Sequence, residues 1–231
     1  MGKKKYLISE QDFSNLLIQA LMGGGKDNLL GDIFKNLGKN TSQGGSTFQG
    51  GFTPNSTEEF PTLNLNNPME YETYKQIADK FISSRKSNLL GITGSMLADS
   101  AKDVQNKYKK YVPIELALAQ LAAEGGFSKN PNAKPIRTKN PFNVGNTSSG
   151  KIIQHGSVQS GINAYYDLMA RRYLSGNKTA VDLLKNFVND KGYRYADVGY
   201  EDLVNQIVVQ AKSMSQPAYV SLRKKIGQNL T

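Results

Sequence analysis

The chain has 231 residues, a formal net charge of +10, one histidine and no cysteine. Without cysteine it can form neither a disulfide nor a thiolate zinc site, and a single histidine without a nucleophile elbow argues against a Ser-His-Asp hydrolase. The positive charge is concentrated in residues 71–231, which carry +11, so we expect this part to meet an anionic polymer.

Two short amphipathic helices are predicted in residues 1–38, which we interpret as an N-terminal helical anchor. Ser9 can cap the first helix, and apolar residues recur in both helices at helical spacing. Residues 39–68 are rich in Gly, Ser, Thr, Asn and Pro, which predicts an extended arm or linker. The two helices either dock on a larger assembly or fold back on their own domain, and both interpretations stay open.

Residues 69–231 are predicted to form one mainly helical domain. Helical periodicity covers Glu70 to Arg85, and a second helix is predicted from Ser95 to Tyr111. Residues 142–156 contain a turn cluster between extended-looking pieces, which predicts a small β-hairpin. Helices resume after the hairpin, and Pro217 is predicted to begin the last one. Their apolar stripes contain Ile162, Tyr165, Tyr166, Met169 and Tyr173, then Val181, Leu184 and Phe187, then Leu203, Val204, Ile207 and Ala211.

The most informative element is the helix that leads to Glu124. Pro113 suits its first turn, and the run from Leu116 to Ala123 is apolar apart from Gln120. The two glycines after Glu124 predict the end of the helix. Glu124 would then lie at the negative end of the helix dipole in apolar surroundings, and both raise the pKa of a carboxyl. A general acid near neutral pH needs such a pKa, although a glutamate in a last turn can also simply point into water.

Three segments carry motifs. They are Gln120 to Ser128 (QLAAEGGFS), Asn140 to Gly145 (NPFNVG) and Gly192 to Tyr200 (GYRYADVGY). In this order they resemble the Q-A-x-L-E-S-G-W-G, N-x-L-F-G-I-K and G-x-Y-A-T-D-P-x-Y segments of the glucosaminidases of glycoside hydrolase family 73, which cleave bacterial peptidoglycan. The resemblance covers the chain from about residue 70 onward. It implies an α+β lysozyme-like fold, mainly α with the small β-hairpin beside a cleft.

The resemblance also implies roles for single residues. Glu124 would donate a proton to the glycosidic oxygen, and Tyr195 would place an aromatic hydroxyl near the scissile bond. The predicted substrate-binding residues are Phe127, Phe142, Asn143 and Tyr193, with the two phenylalanines as apolar walls.

The chain departs from the family pattern at several positions. Gly125 replaces a serine, Phe127 a tryptophan and Asn143 a glycine, and the third motif is one residue short. These departures concern the substrate more than the fold.

A glycosidase usually needs a second carboxylate, either a nucleophile about 5 Å away or a base about 6.5–9.5 Å away. Residues 125–161 contain no Asp or Glu, so the candidates are Asp167, Asp190 and Asp197. We choose Asp197 because it lies in a matched motif. Alternatively the 2-acetamido group of the substrate attacks the anomeric carbon, and no second carboxylate is needed. Asn143 and Tyr195 would then orient the acetamide, and the sequence leaves both mechanisms open.

The organisation of the chain suggests a setting. We find neither a secretory signal nor a wall-binding repeat, and an anchoring arm on a lone hydrolase domain is typical of a bacteriophage enzyme carried in the virion. We therefore expect a tail-associated protein whose partners are bacterial peptidoglycan and, through the N-terminal arm, virion proteins. One alternative is a lytic transglycosylase or muramidase of the same superfamily, although their G-L-M-Q motif is absent. Another is a structural virion protein that retains the fold without catalysis.

Other partner classes are not expected. The basic stretch Asn106 to Tyr111 belongs to no recognised nucleic-acid module and is interpreted as a solvated helix face. No window has the apolar length of a membrane span. Gly23 to Lys26 lacks two residues of a phosphate-binding loop, so we predict no cofactor and no metal ion.

Overall fold

The computed structural model of the protein describes residues 59–146, 152–196 and 198–228. These residues form helices joined by loops, so the predicted mainly helical class is confirmed. The two N-terminal helices predicted in residues 1–38, most of the predicted arm and Asp197 lie outside the described residues. The turn of the predicted β-hairpin also lies outside them, and the described residues on either side of it form no strand.

The helices of the described residues are, in chain order, α1 (Pro68–Ser83), α2 (Gly94–Tyr108), α3 (Ile114–Ala123), α4 (Lys134–Arg137), α5 (Val158–Leu168), α6 (Ala180–Asn186) and α7 (Tyr200–Gln228). A π-helical turn, Met169–Tyr173, continues α5. The one β-bridge within the described ranges pairs Val188 with Arg194 in the loop between α6 and α7. This bridge holds together the loop that carries Tyr195.

The helical domain begins before α1, inside the segment predicted as an arm. Leu63 and Leu65 are buried in the core. The Leu65 N–H donates to Gln105 Oε1 at 2.8 Å, and Gln105 Nε2 donates to Leu63 O at 2.7 Å. Because the α2 side chain satisfies both backbone groups, it holds residues 63–65 against the domain.

Helix α3 is the centre of the core. Every residue from Ile114 to Leu121 is buried, as expected for a helix that is apolar on nearly all sides. Its first turn is fixed to α7 by the Ser215 hydroxyl, which donates to Glu115 Oε1 at 2.6 Å. Just before it, Tyr74 of α1 donates to Val112 O at 3.2 Å. Neighbours on several sides therefore fix the direction of α3 and the position of its last residue.

Helix α7 is continuous, whereas the sequence predicted a new helix at Pro217. Pro217 lies inside the helix, where it has no N–H to donate to the preceding turn. Lys80 Nζ of α1 donates to the nearby Met214 O at 3.2 Å, and Tyr219 and Leu222 beyond the proline are buried. Packing on both sides of the proline keeps the helix intact. No helix within the described ranges combines the length and the apolar character needed to cross a membrane.

Helix α5 lies against the segment that leads to Asn143. A Cβ at Gly161 would be 2.3 Å from Lys139 O and 2.9 Å from Pro141 Cδ. Contacts this short do not occur, so only glycine allows the helix and the loop to approach this closely.

We expect Gly161→Ala to lower the free energy of unfolding by about 1–3 kcal/mol, because the added methyl forces α5 and the loop apart. Urea unfolding followed by circular dichroism measures this change. Gly156→Ala is the control, since a Cβ at Gly156 would meet no atom within 4 Å. Equal unfolding midpoints for the two variants would contradict the close approach.

Candidate active site

Glu124 lies at the carboxyl end of α3, where the sequence predicted it. Its N–H still donates to Gln120 O at 2.9 Å, and the next residues close the helix. Gly125 has a φ of +79°, and the Gly126 N–H turns back to Leu121 O at 2.9 Å. Such a left-handed ending requires glycine and leaves the Glu124 side chain at the exit of a buried helix.

The glycine after this turn brings a second loop against the end of α3. A Cβ at Gly126 would lie 2.4 Å from Leu121 Cδ1 and 3.1 Å from Pro141 O. The loop of residues 140–146 therefore passes directly beside Glu124.

Asn140 and Asn143 shape this loop. The buried Asn140 side chain accepts from the Val144 N–H and donates to Val144 O, both at 3.0 Å. Asn143 has a φ of +50°, a left-handed conformation that asparagine tolerates better than most residues. Its Nδ2 donates to Glu124 O at 2.9 Å and to Glu124 Oε2 at 3.1 Å, while its Oδ1 accepts from Asn146 at 3.0 Å. The loop thus presents an oriented amide to the carboxyl.

Tyr200, the first residue of α7, lies near Glu124 and lowers the pKa of its carboxyl by stabilising the ionised form. Gln120 Nε2 donates to the Tyr200 hydroxyl at 3.3 Å, and Tyr165 donates to Gln120 Oε1 at 2.8 Å. Three side chains, from α5, α3 and α7, thereby form one chain of hydrogen bonds beside the carboxyl. Neither Gln120 nor Tyr200 was predicted as a site residue. The signal for Gln120 was its position as the one polar residue in the apolar run of α3.

Burial raises the pKa of the Glu124 carboxyl, and the hydrogen bonds from Tyr200 and Asn143 oppose part of that shift. Burial also raises the pKa of Tyr195 and of Tyr200 well above the ordinary value, and the negative charge of Glu124 adds to both shifts. The two hydroxyls therefore stay protonated as donors, while the carboxyl is biased towards its acid form.

Tyr195 lies beside this group. Its ring stacks on that of Tyr200, with centroids 5.5 Å apart and an angle of 26° between the planes. Its hydroxyl donates to Phe142 O at 3.2 Å, so Tyr195 also holds the loop of Asn143 in place.

The two predicted apolar walls occupy different environments. Phe142 is fully buried and stacks on Tyr165 with centroids 3.7 Å apart, so its ring supports the site from the core instead of lining a cleft. Phe127 is half-buried and lies against Phe81 of α1, with centroids 6.2 Å apart, and near the Arg85 guanidinium.

Tyr193 and the candidate second carboxylates are not joined to Glu124 by any contact in the described residues. Tyr193 is 68% exposed and lines another cavity, together with Asp190. Asp167 accepts hydrogen bonds from Tyr108 and Arg171. Asp197 lies outside the described residues. The side chains that shift the pKa of Glu124 include no carboxylate, so the second carboxylate stays a prediction.

Within the described ranges, no three Asp, Glu or His side chains come together as a metal site would require. No protein-family model, no curated protein and no solved structure matches this chain. What the site does must therefore be inferred from the geometry around Glu124.

We expect an NMR titration to find the pKa of Glu124 above the ordinary glutamate value, and higher still in Tyr200→Phe. The tyrosine hydroxyl stabilises the ionised carboxylate, so its removal favours the acid form. Glu124→Gln identifies the resonance.

Tyr71→Phe is the matched control, because that hydroxyl donates to Asp99 at 2.6 Å on the α1–α2 surface. An ordinary or lowered pKa of Glu124 would show that burial does not control the pKa of this carboxyl. The same pKa in Tyr200→Phe and wild type would refute the hydrogen bond from Tyr200.

Proposed function

We propose that the chain is a peptidoglycan hydrolase of the endo-β-N-acetylglucosaminidase type, with Glu124 as its general acid. The observation that carries this proposal is the Glu124 carboxyl itself. It is the end of a buried helix, burial raises its pKa, and Asn143 and Tyr200 hold it from two sides. A carboxyl whose pKa is raised and whose direction is fixed is what a general acid in the cleavage of a glycosidic bond needs.

Glu124 protonates the leaving oxygen while the bond from that oxygen to the anomeric carbon breaks. In the substrate-assisted route, the acetamido oxygen forms a bond to the anomeric carbon at the same time. The ionised Glu124 then takes a proton from the water that opens this intermediate. In the other route, Asp197 provides the carboxylate that activates water or attacks the sugar. In both routes, activity falls as the pH rises through the raised pKa, because the acid form is lost.

Two steric features support the family resemblance. Gly126 stands where the family motif has glycine, and the structure leaves no space there for a Cβ. Asn143 stands at another glycine of the motif, and its backbone is left-handed, which glycine adopts most easily. Gly125 is the counter-example. Its φ of +79° would strain the serine that the family has at this position.

The biological setting is part of the proposal. A virion-associated enzyme at the tail would open the host wall during penetration, held there by the N-terminal arm. The net charge of +11 on residues 71–231 suits an anionic wall. Mass spectrometry of purified virions tests this placement by the presence or absence of the chain.

We expect the purified protein to release peptidoglycan fragments whose borohydride-reduced ends are glucosaminitol, as mass spectrometry would show. Glu124→Gln should lower the rate by about 10²-fold or more, because it removes the proton donor. Glu72→Gln is the control, since Glu72 lies on the surface of α1 and pairs with Lys75.

Each other outcome points to an alternative. Muramitol ends or anhydro products would assign the chain to the muramidases or lytic transglycosylases. No release from several chemically different walls would favour a structural virion protein. Full activity of Glu124→Gln would remove Glu124 from the mechanism.

A further inference from the structure

A concave surface lies between the π-helical turn and the α6–α7 loop. The cavity has a volume of about 600 Å³, within the range of small-ligand sites. Its lining includes Arg171 and Arg172 from the π-helical turn and Asp190, Lys191 and Tyr193 from the α6–α7 loop. Tyr193 and Asp190 were among the residues predicted for the hydrolase site, but no contact in the described residues joins them to Glu124, and Arg171, Arg172 and Lys191 have no part in the proposed hydrolysis.

The charges of this cavity favour an anionic ligand that also carries one positive group. Arg171 is already held by Asp167, with Nε 3.1 Å from Oδ2. Arg172 and Lys191 form no ion pair with any described residue, so their charges are available to a ligand. Asp190 lies among these cations, and its carboxylate would repel a uniformly negative polymer while accepting an amine.

A tight turn of the backbone forms one side of the cavity. The buried Asn189 side chain accepts from the N–H groups of Lys191 and Tyr193, both at 2.9 Å, and Gly192 has a φ of +81°. This tight turn fixes the rim opposite the arginines. The arginines lie on a π-helical turn, a form that occurs frequently at functional sites.

The cavity is also connected to the candidate active site. Tyr173 follows Arg172 in the π-helical turn and is buried, and its hydroxyl donates to Arg194 O at 3.3 Å in the loop that carries Tyr195. The Tyr173 ring meets the Tyr195 ring edge-on, with centroids 5.3 Å apart. The π-helical turn that carries Arg172 therefore packs against Tyr195 and its loop.

We propose that this cavity binds the stem peptide of peptidoglycan, an inference that rests on the proposed function. The stem peptide carries several carboxylates and, on its diamino acid, one amine. It hangs from the sugar next to each N-acetylglucosamine, so a glycan bound at Glu124 carries a stem peptide close to the bond that is cut. Four extended residues reach about 13–14 Å. Arg172 and Lys191 bind the carboxylates, Asp190 binds the amine and Tyr193 packs on the peptide.

The first test titrates the 231-residue protein with a synthetic tetrapeptide stem by isothermal calorimetry. We expect binding, and at least about tenfold weaker binding in the double variant Arg172→Gln/Lys191→Gln, which loses hydrogen bonds to charged groups. Arg223→Gln/Lys224→Gln on the exposed end of α7 removes the same charge and should bind as the wild type does. Circular dichroism confirms that the variants fold.

No binding by the wild type, or equal affinity of the two double variants, overturns the proposal. A soluble polyglycerol phosphate serves as the competing probe. If it binds at the same residues more tightly than the peptide, the cavity is a phosphate-polymer site and the proposal is wrong.

A second test separates this proposal from the proposed function. Wild-type protein is given glycan strands with intact stems and strands stripped by an amidase. We expect kcat/KM to fall about tenfold on the stripped strands, and Arg172→Gln/Lys191→Gln to cut both kinds at that lower rate. Equal cutting of both kinds by the wild type overturns the stem site while the hydrolase stands. If neither kind is cut, the proposed function fails, and the peptide titration alone tests whether the cavity binds the stem peptide.

Discussion

Burial of one carboxyl at the end of a buried helix is the constraint on which the rest of this site depends. A carboxylate removed from water is costly unless it is hydrogen-bonded, and here the cost favours the protonated form. Asn143 and Tyr200 offset part of this cost of burying the carboxylate. They belong to a loop and to a helix that are far apart in the sequence. The acid therefore exists in this form only when the 140–146 loop, α3 and the start of α7 are assembled.

The core maintains that assembly. A proton donor acts only when it lies within hydrogen-bond reach of the leaving oxygen, so its supports must be rigid. Phe142 and Tyr165 stack in the core, and Tyr165 also bonds to Gln120, which bonds to Tyr200. At the far end of α3, Glu115 is fully buried and is tied to α7 through Ser215. Residues that no substrate touches thus control where Glu124 points.

Local signals in the sequence were sufficient for α3. Its proline, its apolar run and its two glycines predicted the helix, its end and the position of Glu124 in apolar surroundings. The other features of the site and the fold depend on long-range packing, which local sequence patterns do not reveal. Tyr200 reaches Glu124 only because α7 packs against α3, and the burial of Phe142 depends on Tyr165 of α5. Pro217 is a sound signal for a helix start, yet contacts on both sides of it keep α7 continuous. Leu63 and Leu65 were predicted to belong to a polar arm, but the Gln105 side chain forms hydrogen bonds with their backbone.

The most direct test of the role of Glu124 compares two substrates in the Glu124→Gln variant. One is a chito-oligosaccharide with its natural sugar leaving group, and the other carries a dinitrophenyl leaving group that departs without a proton. If Glu124 is the general acid, the variant loses cleavage of the natural linkage by about 10²-fold or more and retains most of its activity on the activated one. Equal losses on both substrates would contradict proton donation by Glu124, and unchanged rates on both would remove it from the reaction.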